Sequence, residues 1–469
     1  MGLIRNIGMK FLGFLKKIAK RNRTYAEQQT ILHLANLVQF KTSVDVENYT
    51  IEMKKCADYL EQVLSKAGLK TKRYKKNELE TVVGYIGNDA GETIIFNGHY
   101  DVVLDSDGWN DFTLTEGEYE KEMVYFGKGV YDMKGSIAAM LGAMECCETG
   151  KFKKNRLMFM FVPNEEIGGK EGTAYALNEM IRDGVLYPKM TKAIVGESTE
   201  LDITTRRRAH YLFEIKIPMD KKRKKLLGRT YIGQSLHTSE FSIEQFREGK
   251  LKHPLFSIAQ DYVNQKISGI SGIELGYLQQ GKIIESPSNV LPKHARVWFD
   301  GTDETDPAID KLLRFMEKLE RFEFESEKSN YGTSISCNRL MYDKDQMRFY
   351  LDIRIMEDDL ERIEEYIRNV AKSRDIEDIK VLNVKRSLKS DGDWPDELEK
   401  IVKRVYKKSK KGKENKGQSD SSYFVEHSIP VVEIGPAGGN DHKCYEHVNE
   451  KSLYELVVIY QKIIENKLN

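Results

Sequence analysis

Thr93-Ile-Ile-Phe-Asn-Gly-His-Tyr-Asp101 decides the fold, because an apolar run ends there in a histidine and an aspartate. His99 and Asp101 lie two residues apart, so in an extended segment their side chains share one face and Tyr100 points away. Carboxylates are rarely tolerated at buried strand ends unless a positive group neutralises them. A lone histidine there is more often structural, but the pair indicates a metal site in which Asp101 supports His99.

The fold class follows from apolar runs that alternate with helical patterns. The runs lie near 82–86, 93–97, 157–162 and 192–196, and helix-like stretches lie at 136–146 and 173–182. Strands that alternate with helices indicate βα units and a largely parallel sheet. Ligands of such sheets gather beyond the carboxyl ends of the strands. We therefore expect an α/β catalytic domain whose functional site lies at that edge.

Further carboxylates occur where this edge is expected. Asp132 lies in the glycine-rich stretch GKGVYDMKGS, Glu165 and Glu166 follow one apolar run, and Glu197 follows another. The G-x-G-x-x-D pattern lacks the lysine and the spacing of a phosphate-binding loop, so nucleotide binding is rejected. Two adjacent glutamates can simply be a solvated pair on a loop. If they are not solvated, their charges repel each other, and a metal ion relieves the repulsion. One glutamate then coordinates the metal, and the other stays unligated as a general base for hydrolysis.

A mixed set of nitrogen and oxygen ligands completes the predicted metal site. It consists of two imidazoles and three carboxylates, with an aspartate free to bridge: His99, Asp132, Glu166, Glu197 and His447. Such a set serves two ions about 3.5–4 Å apart. Donors without thiolate favour zinc, with cobalt or manganese as substitutes. We therefore predict two divalent metal ions, zinc above all, as cofactors.

Composition excludes several classes of protein. At 469 residues the chain is too long for one ordinary core, and 74 Lys+Arg against 73 Asp+Glu create no field that steers it to nucleic acid. The lysine-rich tracts 221–225 and 407–416 lack interleaved aromatics and are interpreted as solvated loops. Five scattered cysteines are typical of reduced thiols in a cytoplasmic protein. No apolar run reaches the roughly 18 residues that a membrane-spanning helix needs.

Residues 1–24 have a pattern of their own. Apolar residues recur at helical spacing between Leu3 and Ile18, and lysines and arginines supply the opposite face. A basic amphipathic helix of this kind can lie on an anionic membrane surface. Two interpretations stay open: peripheral membrane contact, or a helix that packs against the body of the protein. Lysines and glycines interrupt the segment, so we do not expect a secretory signal.

The domain organisation is predicted from a change of texture after Glu197 that reverses near residue 386. Between these points, strand-like segments and helical patterns near 254–266, 307–320 and 358–372 are typical of a separate α+β domain with an antiparallel sheet. The predicted layout is an amphipathic N-terminal helix, a catalytic domain in two parts and an inserted lid. These are residues 1–24, residues 25–206 with 386–469, and residues 207–385.

Seven short stretches occur in an order that resembles one known family, the M20 metallopeptidases and deacylases. That family includes acetylornithine deacetylase, succinyl-diaminopimelate desuccinylase, aminoacylase and carboxypeptidase G2. The matching stretches are GHYD (98–101), GKGVYDMKG (127–135), PNEEIGG (163–169), GES (196–198), SNVLP (288–292), GQSDSSYF (417–424) and HVNE (447–450). The resemblance extends from about residue 30 to the end of the chain. It implies a zinc-exopeptidase-like catalytic domain and an inserted lid that often forms a homodimer interface.

The resemblance also implies a role for each metal-site residue. It places His99 and Glu197 on one ion, Glu166 and His447 on the other, and Asp132 between them. It makes Glu165 the general base and Asp101 the carboxylate that supports the metal-bound histidine. His442 is a rival to His447, but only His447 has the H-V-N-E context.

Three residues of the inserted lid complete the expected site. His237 in SLHTSEF resembles the histidine that stabilises the developing oxyanion, often across a dimer interface; a residue on the lid surface is the alternative. Asn289 of SNVLP and Arg354 of Asp352-Ile-Arg354 resemble substrate-binding residues. In many relatives these two lie on one continuous strand, whereas here Arg354 comes much later in the chain. The lid is therefore expected to be enlarged.

The function we expect is hydrolysis of the amide bond of an N-acyl amino acid or a small peptide. A dipeptidase or carboxypeptidase of the same family is one alternative. A non-catalytic metal-binding scaffold is an alternative from a different class. Glu165 beside five candidate ligands favours the enzyme, because a scaffold has no need of a general base.

Overall fold

The computed structural model describes residues 23–104, 111–148, 152–219, 226–234, 238–279, 282–284, 291–322, 329–343, 345–356 and 358–468. His237 and Asn289 lie outside these residues. So do the tract 221–225 and all of the predicted N-terminal helix except Arg23 and Thr24.

The described helices, in chain order, are α1 (Tyr25–Gln39), α2 (Tyr49–Lys66), α3 (Lys134–Glu145), α4 (Tyr175–Arg182), α5 (Ile243–Arg247), α6 (Pro254–Val263), α7 (Pro307–Glu320), α8 (Leu360–Lys372), α9 (Asp393–Val405), α10 (Ser421–Glu426) and α11 (Glu450–Leu468). Single helical turns of other types occupy Lys170–Ala174, Pro188–Met190 and Thr238–Glu240.

The described strands are β1 (Lys70–Lys76), β2 (Leu79–Gly87), β3 (Thr93–His99), β4 (Thr115–Tyr119), β5 (Glu122–Phe126), β6 (Arg156–Val162), β7 (Thr191–Val195), β8 (Ile203–Arg207), β9 (Ala209–Pro218), β10 (Leu227–Ile232), β11 (Ile270–Gln279), β12 (Lys282–Ile284), β13 (His294–Phe299), β14 (Ser334–Tyr342), β15 (Gln346–Ile355), β16 (Asp378–Lys385), β17 (Leu388–Lys389), β18 (Lys411–Asn415), β19 (Val431–Glu433), β20 (Gly438–Gly439) and β21 (His447–Asn449).

The chain divides into two compact units. The first comprises Met1–Arg206, Lys389–Lys413 and Ser419–Asn469, and the second comprises Arg207–Leu388 and Glu414–Gln418. The second unit starts at the predicted residue 207. It ends at Leu388 rather than 385 and also takes residues 414–418, which the sequence analysis assigned to the catalytic domain.

The first unit is built on a mixed sheet whose central strands are parallel. The order β1-β2-β6-β3-β7-β19-β8-β17 puts β3 between β6 and β7, and β6, β3, β7 and β19 run parallel. Every residue of β3 and β6 is buried, as expected for strands that are covered on both faces. The predicted α/β class with a mostly parallel central sheet is therefore confirmed.

Helix α3 packs tightly because its residues are small. All ten residues from Gly135 to Met144 are buried, and α1 and α11 lie against α3. A Cβ at Gly142 would lie 2.2 Å from Thr30 Oγ1, so the approach of α1 to α3 requires glycine there. Because α3 begins two residues after Asp132, this packing fixes where the Asp132 loop ends.

A small antiparallel sheet in the same unit brings distant segments together. Its order is β20-β21-β5-β4, so the strand that starts at His447 pairs with β5. The described chain starts beside β5, where Arg23 Nη2 donates to Tyr125 Oη at 2.9 Å and to Glu450 Oε1 at 2.6 Å. Thr24 then caps α1 in a capping box with Glu27.

The second unit is α+β. Two antiparallel sheets, β10-β13-β11-β12 and β14-β15-β9-β16, carry the helices α5 to α8. Its core is separate from that of the first unit and includes Phe213, Phe256, Leu313 and Phe349. Among the helices of the described residues, none is long and apolar enough to cross a membrane.

Candidate metal centre

The parallel strands bring the predicted carboxylates to one edge of the sheet. Strand β3 ends at His99, β6 ends at Val162 and β7 ends at Val195, so the acidic residues that follow them share an edge. His99 is 1% exposed, Asp101 is 3% exposed and Glu197 is 9% exposed. Buried acidic groups such as Asp101 and Glu197 require positive charge nearby.

His99, Asp132 and Glu166 form the centre of the cluster. One ligand atom from each of the three lies within 4.8 Å of the others. His99 Nε2 is 3.0 Å from Asp132 Oδ1, and His99 Nδ1 is 3.1 Å from the carbonyl oxygen of Asp101. The ring is therefore oriented from both sides, with Nε2 facing the other candidate ligands.

His442 is the histidine of the C-terminal segment that contacts this centre. Its Nε2 lies 3.0 Å from Glu166 Oε2 and 3.4 Å from Asp132 Oδ2. His447 starts β21, where its ring lies 4.2 Å from the ring of Tyr119 and its Nδ1 lies 3.0 Å from the carbonyl of Tyr445. The contacts of the centre thus favour the rival that the sequence analysis set aside, and the prediction for His447 stays a prediction.

The electrostatics of the cluster reflect an excess of buried negative charge. Burial raises the pKa of Glu166 to about 7, and the carboxylate of Asp132 adds to this effect although His442 opposes it. Burial alone would raise the pKa of Asp132, but His442 and His99 hold it well below its usual range. The carboxylate of Glu166 raises the pKa of His442 to about 12. Burial opposes ionisation of His99, yet Asp101 and Asp132 raise its pKa well above the usual value.

Asp101 has a second task besides supporting His99. Its Oδ1 accepts from the backbone N–H of Glu165 at 3.2 Å, and its Oδ2 accepts from that of Glu166 at 3.0 Å. Asp101 Oδ1 also lies 3.4 Å from His99 Nδ1. One carboxylate therefore connects the end of β3 with the loop that carries both glutamates.

Glu446 is a site residue that the sequence analysis missed. It is 2% exposed, and its carboxylate accepts from the backbone N–H groups of Gly129 at 2.9 Å, Tyr131 at 3.0 Å and Asp132 at 3.2 Å. Burial raises the pKa of Glu446 to about 7, against the effect of these bonds and of Lys128. Because Glu446 follows His442 by four residues, it joins the Asp132 loop to the segment that carries His442. The signal that could have found it is the H-x-x-x-E spacing of HKCYE.

The loop of Glu197 is joined to that of Asp132 as well. Ser198, which follows Glu197, donates to the carbonyl of Tyr131 at 2.6 Å, and Tyr131 precedes Asp132. Glu197 lies at the carboxyl end of β7, where the sequence pattern placed it. Its role as a ligand remains a prediction.

Arg354 of the second unit is described in detail. It is 5% exposed, and its Nε donates to Asp352 Oδ1 at 3.2 Å. The other oxygen of Asp352 lies 3.1 Å from His210 Nε2 and accepts from Thr238 Oγ1 at 3.2 Å. Arg354 thus belongs to a buried ion-pair network, and its expected role in substrate binding stays a prediction.

The residues of the centre fit a divalent metal. The carboxylates of Asp132 and Glu166 offer oxygen atoms that lie, together with a ring nitrogen of His99, within 4.8 Å of one another. Two half-buried carboxylates beside each other repel one another unless a cation or an acidic proton lies between them. Imidazole and carboxylate donors without thiolate are the ligands that zinc and similar ions accept.

The chain matches a known peptidase family over most of its length. Residues 95–466 match the profile of Peptidase family M20/M25/M40. A succinyl-diaminopimelate desuccinylase of Rickettsia bellii (strain OSU 85-389) is 24% identical over 453 residues, which cover 93% of this chain and 96% of the relative. A desuccinylase of the same name from Nautilia profundicola is also 24% identical, over 80% of this chain and 84% of its own.

Solved structures share the fold at low identity. An aminoacylhistidine dipeptidase from Vibrio alginolyticus superposes with a TM-score of 0.64 at 12% identity, over 96% of this chain and 98% of its own. An M20 family metallo-carboxypeptidase, Sso-CP2 from Sulfolobus solfataricus, gives 0.59 at 15% identity, over 94% and 99%. The protein belongs to peptidase family M20/M25/M40. It is accordingly a hydrolase that acts on C–N amide bonds.

Proposed function

We propose that this hydrolase cleaves the amide bond of an N-acyl amino acid or a small peptide at a centre of two divalent metal ions. The observation that carries the proposal is the convergence of His99, Asp132 and Glu166 within 4.8 Å, with His442 against both carboxylates. Two ions bound there would supply the positive charge that activates a water molecule and polarises the scissile carbonyl. We propose zinc as the native metal, with cobalt or manganese as substitutes.

The proposed ligands extend this cluster to both sides. Asp132 would contribute a carboxylate to both ions, and His99 and Glu197 would complete the ligands of one. Glu166 and a histidine of the C-terminal segment would hold the other. Geometry favours His442 for that position, since His442 Nε2 lies 3.0 Å from Glu166, and His447 is the alternative.

Glu165 is the proposed general base. The backbone N–H of Glu165 donates to Asp101. So does the backbone N–H of the adjacent Glu166, whose side chain is a proposed metal ligand. In this role Glu165 accepts a proton from the attacking water and passes it to the leaving amine nitrogen. Asp101 holds the proton-bearing Nδ1 of His99 in place, so that Nε2 remains a donor to metal.

The experiment is a panel of substrates tested with zinc, cobalt and manganese added separately. The panel holds N-succinyl and N-acetyl amino acids, N-succinyl-diaminopimelate, and dipeptides. N-succinyl substrates enter it because of the named relatives, and dipeptides because of the named dipeptidase structure. Release of free amine that depends on metal supports the proposal. Turnover of dipeptides alone would favour the exopeptidase alternative, and no hydrolysis would favour the scaffold.

The three predicted lid residues are proposed to serve this reaction. His237 would stabilise the oxyanion, and Asn289 and Arg354 would bind the substrate. The replacement Arg354→Lys keeps charge but removes the fork that can bind a carboxylate at two points. We expect it to raise KM for substrates with a free carboxylate more than it lowers kcat.

A homodimer formed through the second unit is also proposed. Strand β10 lies at one end of its sheet, and Leu227 and Ile232 on it are 71% and 64% exposed. An exposed edge strand with apolar side chains is suited to pairing with a second copy. Light scattering on Leu227→Lys with Ile232→Lys should show a monomer where the unchanged protein is a dimer. Equal masses would contradict the proposed interface.

Residues 1–24 are proposed to provide peripheral membrane contact, on the strength of their basic amphipathic pattern. Flotation with anionic liposomes should separate the full chain from one that starts at Arg23. That truncation keeps the contacts of Arg23 with Tyr125 and Glu450. Equal flotation of the two proteins would contradict membrane contact.

A further inference from the structure

The turn that carries Glu165 and Glu166 is held at both ends. At its start, Asp101 accepts from the backbone N–H groups of both glutamates. Inside the turn, Gly168 N–H donates to the carbonyl of Glu165 at 2.8 Å. At its end, the carbonyl of Gly168 accepts from the hydroxyl of Tyr423. Three of these four bonds join the turn to Asp101 or to itself, and the fourth joins it to Tyr423 in the distant segment 419–423.

Asp420 in that segment reaches the residues that follow the turn. It is 1% exposed, and its Oδ2 accepts from Thr173 Oγ1 at 2.6 Å. Gly169, at φ +70°, lies so close that a Cβ there would stand 2.4 Å from Asp420 Oδ1. Only glycine combines this backbone conformation with this contact. Thr173 Oγ1 also accepts a long hydrogen bond of 3.5 Å from Asn97 Nδ2. Asn97 lies on β3, two residues before His99.

The segment 419–423 is itself held by hydrogen bonds to strand β19. Glu433, at the end of β19 and fully buried, accepts from Ser419 Oγ at 2.5 Å and from Ser421 Oγ at 2.8 Å on the same oxygen. Tyr423 N–H donates to the carbonyl of Asp420 at 3.1 Å. The two side chains that contact the glutamate turn are therefore anchored to a central strand of the sheet.

We propose that Tyr423 and Asp420 are positioning residues for Glu165 and Glu166. Tyr423 fixes the end of the turn through Gly168, and Asp420 fixes the next segment through Thr173. The proximity of Glu165 contributes to a raised pKa of Tyr423, after burial and Asp420, which agrees with this arrangement. The inference rests on the proposed function, because it assigns the purpose of the bonds to the base and the ligand that the turn carries.

The test compares variants that remove one hydroxyl with one that keeps it. Tyr423→Phe removes the bond to Gly168, and Thr173→Val removes the bond to Asp420 at nearly constant volume. Thr173→Ser keeps the hydroxyl and is the matched control. Hydrogen exchange of the backbone amides in residues 164–169 should quicken about tenfold in the first two variants and stay unchanged in the third.

Steady-state kinetics supply the second readout. For the substrate cleaved fastest in the panel above, kcat should fall about tenfold in Tyr423→Phe and Thr173→Val, with KM within about twofold and wild-type behaviour in Thr173→Ser. Unchanged exchange at 164–169 in Tyr423→Phe would overturn the inference, as would equal behaviour of Thr173→Ser and Thr173→Val. The exchange experiment needs no turnover. A wild-type protein without hydrolytic activity would therefore count against the proposed function alone, while the exchange rates still decide the role of Tyr423 and Asp420.

Discussion

Glu165 and Glu166 are neighbours whose proposed tasks differ because their surroundings differ. Glu166 faces Asp132 and His442, whereas Glu165 carries the general-base role in our account. We expect Glu165→Gln to lower kcat by about 10²–10⁴-fold with metal content unchanged, because only proton transfer is lost. Steady-state kinetics and metal analysis of the same preparation measure both effects.

Glu166→Gln is the matched control at the adjacent position. It exchanges the same atoms but removes a proposed ligand, so it should lose metal as well as activity. An active Glu165→Gln variant would contradict the assignment of the base. Equal metal loss in both variants would contradict the division of roles.

The choice between His442 and His447 is a second question at this scale. His442 lies 3.0 Å from Glu166, while His447 packs on Tyr119. We expect His442→Ala to weaken zinc affinity by at least about 100-fold and His447→Ala to change it much less. Competition with a zinc-binding dye gives both constants. The opposite ranking would restore the assignment that the sequence motif suggested.

Among structural elements, the loop before α3 depends on a partner far away in the chain. Glu446 accepts three backbone N–H bonds from Gly129, Tyr131 and Asp132. A glutamine there turns an acceptor into an N–H₂ donor that faces backbone donors. We expect Glu446→Gln to weaken metal affinity about 10–100-fold, as loss of outer support for a ligand typically does.

Glu450→Gln is the control for that experiment. Glu450 is close in sequence but bonds Arg23 and Tyr125 instead of the Asp132 loop. Its replacement should leave metal affinity unchanged. A Glu446→Gln variant with wild-type affinity would show that the backbone bonds of Glu446 do not position Asp132.

Helix α6 of the second unit begins beside a buried histidine that titrates on unfolding. His253 is fully buried against Phe256 and Phe241, with ring distances of 4.9 Å and 5.5 Å, and burial lowers its pKa to about 3. Between its ordinary value of 6.5 and pH 3, the unfolded chain binds a proton that the folded chain does not. Stability therefore falls as pH falls through this window.

The replacement His253→Leu removes that proton uptake. The variant should lose less stability than the unchanged protein between pH 7 and pH 4, by up to about 3 kcal/mol. Urea unfolding of the full chain at pH 7 and pH 4, followed by a spectroscopic signal that reports on the second unit, measures the difference. Identical loss in both proteins would mean that His253 is already protonated when folded.

Prediction from sequence succeeded for elements whose burial is written in their residues. Strands β3 and β6 are buried at every position, and α7 lies over 307–320 as its apolar spacing predicts. Strands β1 (KTKRYKK) and β18 (KGKEN) were missed because their residues are mostly polar and only one residue of each strand is buried. Their strand conformation comes from pairing with a neighbour, which one segment of sequence does not reveal.

The residues of the candidate site were likewise predictable where they follow central strands and were not predictable in the connections. Residues at the ends of central strands were found because strand order fixes their edge. His442 and Glu446 lie in a connection, where side-chain direction depends on the path of the loop. A local motif such as H-V-N-E gives the spacing of residues but does not show which imidazole ring faces the carboxylates, so the pattern favoured His447.

For the whole molecule, the central claim is that residues from five separate segments form one metal centre. A ligand that binds only the folded chain stabilises it in proportion to the logarithm of its concentration. We expect zinc to raise the thermal unfolding midpoint of the first unit and a chelator to lower it. A midpoint that does not respond to either would contradict a centre built from folded segments.

The most direct measurement is the number of metal ions per chain. Apo-protein dialysed against zinc and analysed by mass spectrometry of the metal should retain about two ions per chain, as expected for a dinuclear centre. The variant Asp132→Ala should retain fewer, since the bridging carboxylate is lost. A wild-type protein that takes up no zinc, cobalt or manganese would contradict the account.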